Sequence, residues 1–564
     1  MRLSIIAMSA ACLFTLSTVP SYAGGAAGAY LAGKIATQQS DFQSAAQYYT
    51  RALALDQSNP QTFERLIFAH IALGQIDRAK TIADKFTADG FESQFANMAI
   101  IAELAKQGRF DQISDRIENN QGIGHLVDGL IKGWAFAGAG DVQAASASFD
   151  ALGQEPGLAG FAAYHKAVML ASVGEYAAAE GHFASVENDP TQMTRRAVIL
   201  RIKGMIQLQD YAKAATYMDA LFKGDMDPEL AALRQLIDEE GETAFPINSA
   251  SLGIAEVFFA IADILSTEAD DEYTLIYGRL AEYLSPDHID VILLNAKILD
   301  RLKQYKLATQ VYRKIPQDSP IYHVAEMGRA ETLRKSGNVD GAIEALSQLA
   351  RTHADISDVH TSLGNVLRRE EQFEAAIDAY DKAIALFETP ERSQWFTVYG
   401  RAIAYERLDL WDPAEADFRR ALELAPNQPQ VLNYLGYSMV EKRINLKEAQ
   451  EMIETAVDLS PDSGYIIDSL GWVLFRLGKY NEAVPYLERA AELMSIDPIV
   501  NDHLGDAYWA VGRKLEAQFQ WQRALSFDPV DKEAERIRRK LDVGLDAVLA
   551  EEGAEPLSLV QNDD

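Results

Sequence analysis

The sequence predicts an all-α fold, a solenoid of antiparallel helix pairs with about fourteen hairpins. Three observations carry that prediction. Between Ser357 and Asp531 a small residue returns five times, at Gly364, Ala402, Gly436, Gly471 and Gly505, in steps of 38, 34, 35 and 34 residues. An alanine follows each at 12 residues (13 in the third repeat) and another 7 later: Ala376/Ala383, Ala414/Ala421, Ala449/Ala456, Ala483/Ala490 and Ala517/Ala524. Between the two alanines stands a large residue, in turn Tyr380, Phe418, Ile453, Leu487 and Trp521. A period near 34 residues is the mark of a repeat array.

Seven residues are close to two helical turns, so both alanines lie on one helix face. A small residue on the preceding helix lets the two helices approach closely. Pro426, Pro461 and Pro529 follow second helices and stop them. One such hairpin cannot bury its apolar face alone, so neighbours must stack.

The runs LGYSMVEKRINLKEAQEMIETAVDLSP, LGWVLFRLGKYNEAVPYLERA and LGDAYWAVGRKLEAQFQWQRALSFDP resemble tetratricopeptide repeats. The resemblance implies a right-handed superhelix whose inner surface binds protein or peptide partners. The chain departs from the pattern where a first-helix Trp is common: His360, Val398, Leu432, Ile467 and Asn501 stand there, and the third repeat has one extra residue near Asn445.

Taken in order, residues 1–23 read as a signal peptide. Arg2 gives the positive end, Leu3 to Val19 the apolar core, and Ser21-Tyr22-Ala23 a small-x-small cleavage site. Export to the periplasm with cleavage after Ala23 is the expectation. Lipidation at Cys12 is not expected, because Cys12 lies within the apolar run with Ser9 where a Leu belongs. Residues 24–222 continue the period in degenerate form, with turn glycines Gly74, Gly108, Gly140 and Gly174, and alanines Ala79, Ala145, Ala179 and Ala214; Ile113 breaks the alanine series. Residues 223–251, with Pro228, Pro246 and the acidic run Asp238-Glu239-Glu240, read as a short helix and then a linker or hinge. Helix pairs resume over 252–356. Residues 357–531 form the well-formed array, 532–551 a capping helix and 552–564 an acidic disordered tail. Beyond the signal peptide no segment reads as a membrane span; SLGIAEVFFAIADIL is interrupted by Glu256 and Asp263.

The formal charge of −31 disfavours nucleic acid as a partner. Catalytic chemistry is not expected. The nine histidines are scattered without metal spacing, and no metalloprotease, phosphate-loop or nucleophile-elbow motif occurs. GIGHLVDG at Gly122 reads as a helix–helix turn. No cofactor, metal or catalytic residue is therefore assigned, and the reading is a binding protein.

The inner face of each first helix falls three before, one after and four after the small residue. This places Thr361/Asn365/Arg368, Tyr399/Ile403/Glu406, Asn433/Tyr437/Val440, Asp468/Trp472/Phe475 and Asp502/Asp506/Trp509 along a groove. The candidate partner-binding set is Asn365, Arg368, Asn433, Tyr437, Asp468, Trp472, Phe475, Asp502, Asp506 and Trp509. Aromatic rings offer contact area at low entropy cost, and Asn bonds extended backbone. The same rings also serve to fill joints between repeats, and the sequence leaves both readings open. Three aspartates on one face need an offsetting charge. Asn365 matches one position of the family's carboxylate clamp, but Thr361 replaces its lysine, so that binding mode is not expected. The Leu432–Leu525 block resembles repeat adaptors of envelope processing proteases, which implies a protease or secretion complex as partner. The alternative is a structural component of envelope assembly or polysaccharide export.

Overall fold

The computed structural model describes residues 25–185, 194–222, 226–554 and 557. The expected signal peptide and most of the expected acidic tail lie outside them. The described residues contain thirty-one α-helices, one short 3-10 turn and no strand. Consecutive helices pack in pairs throughout.

Within a pair the chain reverses through one left-handed residue. Gly74, Gly108, Gly140, Gly174, Gly337, Gly478 and Gly512 do this at φ between 70° and 87°. Where glycine is missing another residue takes the same conformation, as Gln209 does at φ 57° before Tyr211. The strain is offset by closing the helix end: Gly478 N–H bonds Phe475 O at 2.9 Å and Lys479 N–H bonds Leu474 O at 2.9 Å. The extra residue of the third repeat is absorbed here too, since Arg443 and Asn445 both have positive φ.

The chain divides into two compact units, Met1–Ala345 and Leu346–Asp564. In both, the small residue of the first helix seats the large residue of the second. A Cβ on Gly33 would lie 2.7 Å from the Tyr49 ring, one on Gly133 2.5 Å from Phe149, and one on Gly505 2.4 Å from Trp521. Gly364 faces Tyr380, Gly436 faces Ile453 and Gly471 faces Leu487 in the same way. The repeat thus encodes a knob and its hole, and the paired alanines, all buried, set the helix separation.

The first unit does something the period does not predict. The helix Ala250–Glu268 and its partner Asp271–Leu284 do not merely extend the row. They lie across the first helices of four earlier pairs, Pro60–Ala72, Gln94–Lys106, His125–Gly138 and Ala159–Ser172. Gly253 is what allows the approach, because a Cβ there would stand 2.2 Å from the buried Trp134 ring. Arg279 Nε donates to Ala72 O at 3.0 Å, and Tyr164 Oη donates to Glu256 Oε1 at 2.7 Å. Ala250–Glu268 is long and apolar enough to cross a membrane by length and composition. Its Ile254, Val257 and Phe258 are buried in the core of this unit instead.

The stretch read as a linker, 223–251, is built into the first unit where it is described. It holds the helix Pro228–Asp238, capped by Asp227, and its Phe245 and Ile247 are buried in the main core. In the second unit, the single capping helix expected over 532–551 is two helices, Asp531–Val543 and Leu545–Glu551. Gly544, at φ 86°, breaks them, and its bare backbone makes room for the Trp509 ring, which a Cβ there would meet at 2.4 Å.

Candidate functional site

The ten candidate residues all lie on first helices of the second unit, but they divide into three groups. Asn365 and Arg368 meet on Tyr380: the phenol donates to Asn365 Oδ1 at 2.8 Å and accepts from Arg368 Nε at 3.2 Å. They brace a knob within their own repeat. Asn433 is buried, and among the described residues its Oδ1 accepts no hydrogen bond. Tyr437 is half-buried; burial pushes its phenol well above the usual range, and Glu441 and Asp468 push the same way.

The second group is an aromatic stack. Trp472 lies flat on Phe475, with ring centroids 4.9 Å apart and planes at 10°, and on His503 at 4.0 Å and 13°. Its indole N–H donates to Glu441 Oε1 at 3.3 Å. His503 Nδ1 meets Asp468 Oδ2 at 2.9 Å. Burial alone would lower the imidazole pKa, but Asp468, backed by Asp502 and Asp506, raises it above the ordinary value near 6.5. A raised value means that the ion pair stabilises the fold fully below the unfolded pKa, and that this is lost as pH rises through the folded one. The melting temperature of the second unit is therefore expected to fall as pH rises above about 6.5. Asp468→Asn should flatten that slope in calorimetry; an unchanged slope would remove His503 as its source.

The third group corrects the sequence reading. Asp502, Asp506 and Trp509 do not line an open surface, because the helices after Pro529 cover them. Lys540 Nζ, fully buried, lies 2.8 Å from Asp502 Oδ2 and 2.7 Å from Asp506 Oδ1. Trp521 Nε1 donates to Asp506 Oδ1 at 2.9 Å, and Trp509 Nε1 donates to Asp546 Oδ2 at 2.7 Å. The charge that offsets the aspartates is the chain's own. Lys540 had a signal in the sequence: with Ala534 and Ile537 it occupies every third position of one helix face, the buried one.

What remains open is a cavity of about 290 Å³ beside the stack. Trp472, Phe475 and Tyr480 form one wall, and Leu545 and Leu549 of the last helix another. Arg443, Arg476 and Arg536 stand around it. Arg443 lies in the left-handed turn after the Pro429–Glu441 helix. Asp506 and Glu552 share the lining, Arg536 pairs with Glu552 at 2.7 Å and Arg476 stands 3.5 Å from Glu441, so the chain's own carboxylates meet these charges and the aromatic wall is what the hollow offers an extended segment. Sequence reasoning missed Arg443, Arg536 and His503, since their convergence depends on the turn and the cap.

Profiles described as tetratricopeptide repeat match residues 36–99, 327–390 and 465–494. The chain contains tetratricopeptide repeats. A TPR repeat-containing protein of Pseudomonas aeruginosa is 29% identical over 183 residues, 32% of this chain and 30% of that one. Human aspartyl/asparaginyl β-hydroxylase is 27% identical over 204 residues, 34% of this chain and 26% of that one. The E3 ubiquitin-protein ligase CHIP of Arabidopsis thaliana is 32% identical over 122 residues, 21% of this chain and 42% of that one. The matched repeats thus span less than half the length of each of these relatives. Among solved structures, the APC/C hetero-tetramer Cut9–Hcn1 aligns over 92% of this chain and 96% of that one, at 14% identity and a TM-score of 0.39.

Proposed function

We propose that this chain is a scaffold that captures an extended segment of a partner protein in the cavity beside Trp472 and Phe475. The first unit has filled the corresponding face with its own helices, Ala250–Glu268 and Asp271–Leu284. The second unit keeps a hollow with an aromatic wall and a rim of paired charges. That hollow is the observation that carries the reading, and it supports binding in place of catalysis. The segment over residues 1–23 supports work in the periplasm after cleavage at Ala23. There the adaptor would hold a protein segment for an envelope machine such as a processing protease. The tetratricopeptide repeat itself supports a protein partner.

Phage-displayed peptides selected on the full-length protein test the reading. The expected selection is for extended segments that carry an aromatic or aliphatic anchor. Trp472→Ala is expected to weaken the selected peptides by about 30-fold, the loss typical of a hot-spot ring. Arg476→Glu should weaken them too, with the helical circular dichroism of both variants unchanged. Selected peptides that bind both variants as well as the wild type would place recognition elsewhere.

A further inference from the structure

In the second unit the chain crosses from one repeat to the next through residues 460–463, 494–497 and 526–530. These crossings adjoin one another along one edge. A Cβ on Gly464 would stand 2.5 Å from Met494 Cγ, Arg489 reaches back to within 3.5 Å of Asp462, and Arg523 Nη2 donates to Ser495 O at 3.0 Å. Each crossing exposes large apolar side chains: Leu459 and Tyr465 at the first, Ile496 and Ile499 at the second, Val530 at the third. Among the described residues no other large apolar side chain is as open as Ile496, at 73%, and Val530, at 66%. Each crossing also holds an aspartate, Asp458, Asp497 or Asp528, that enters no ion pair among the described residues. Asp462 and Glu492 share Arg489, and Asp531 adds a further acid, so Arg523 and Lys532 leave the edge with a negative surplus.

We propose that this edge docks a cationic amphipathic helix of a partner protein, its aliphatic stripe on Leu459, Tyr465, Ile496, Ile499 and Val530 and its basic residues on Asp458, Asp497 and Asp528. The surplus of carboxylates selects against a second copy of this acidic chain, and against an anionic lipid surface. The spacing selects a helix. The first helices Pro429–Glu441, Gly464–Arg476 and Pro498–Ala510 touch in turn. Successive crossings are therefore about 10 Å apart. Two helical turns rise by about the same distance, so residues seven apart on one face meet successive crossings. The edge is separate from the cavity beside Trp472. Tyr465 and Arg476 stand at opposite ends of one helix, about 16 Å apart along its axis.

The probe is a fluorescent synthetic helix of about 18 residues, long enough to span all three crossings, with leucine along one stripe and lysine elsewhere. Its counterpart carries glutamate in place of lysine. Both are titrated with the full-length protein and read by anisotropy. Ile496→Ser/Ile499→Ser/Val530→Ser and Asp458→Asn/Asp528→Asn change only exposed side chains, so the helical circular dichroism of each should match the wild type. The lysine peptide is expected to bind the serine variant at least about tenfold more weakly. The asparagine variant should lose about fivefold and show a flatter salt dependence. Trp472→Ala should bind it as the wild type does. No binding to the wild type, equal affinity for the serine variant, or equal binding of the glutamate peptide would each overturn the proposal. Loss with Trp472→Ala alone would overturn it by putting the peptide in the cavity. A wild-type dimer in sedimentation that the serine variant dissolves would also overturn it, giving the edge to a second copy.

Discussion

Lys540→Met is expected to destabilise the second unit by about 3–5 kcal/mol, the loss typical when one partner of a buried ion cluster is removed. The side chain is 0% exposed and is the only cation in contact with both Asp502 and Asp506 among the described ion pairs shorter than 3 Å. Arg536 stands farther off, at 3.9 and 3.7 Å. Burial already raises the Asp502 pKa, and repulsion from Asp506 raises it further, against the pull of Lys540. Without the ammonium the Asp502 carboxyl is driven further toward the protonated state. A carboxyl whose folded pKa is raised contributes stability at low pH that is lost as pH rises. The variant should therefore recover part of its loss on acidification from about pH 7 to about pH 5. Adding Asp502→Asn and Asp506→Asn should recover most of it at neutral pH. Urea melts followed by circular dichroism check both; a loss under about 1 kcal/mol would mean that Lys540 is not what holds the cap.

The second large effect belongs to the first unit. Arg196→Met is expected to cost a similar amount, about 3–5 kcal/mol, because it leaves Glu256 buried without its main counter-charge. Glu256 is 1% exposed and sits in the middle of the apolar Ala250–Glu268 helix. It accepts from Arg196 Nη2 at 3.1 Å and Tyr164 Oη at 2.7 Å, and His288 Nε2 stands 3.6 Å away. Burial pushes the Glu256 pKa up, but Arg196 and His288 outweigh it and hold the carboxyl far below the usual range. A depressed value contributes stability above the ordinary carboxylate pKa and loses it as pH falls. The wild-type first unit should therefore weaken on the acid side of about pH 4.5, and Arg196→Met should lack that slope. Amide exchange should show residues 250–284 opening first in the variant. The double variant Arg196→Met/Glu256→Leu, apolar on both sides, should regain most of the loss; if it does not, packing and not charge is what the variant disturbs.

The fold was legible because its code is local. Gly505 and Trp521, or Gly33 and Tyr49, are sixteen residues apart and name each other through a fixed spacing. The candidate site was legible only in part. Trp472 and Phe475 follow from the stripe of one helix, and they do border the hollow. Trp509 follows from the same stripe, yet its ring is taken by Gly544 and Asp546, because no periodicity states that the chain turns back over its last repeat. The Ala250–Glu268 helix shows the same limit. Its apolar residues read as any buried helix, and Gly253 as an ordinary small residue, until Trp134 is seen against it. Contacts such as Arg279 to Ala72 span 207 residues and leave no mark in a window of eighteen.

Stacked-repeat proteins ordinarily tolerate gain or loss of a module, since each touches only its neighbours. The helix pair 250–284 cancels that freedom in the first unit by fastening four modules at once. Their number there is fixed as in a closed ring, while the second unit, where only the end is sealed, keeps the latitude to lengthen.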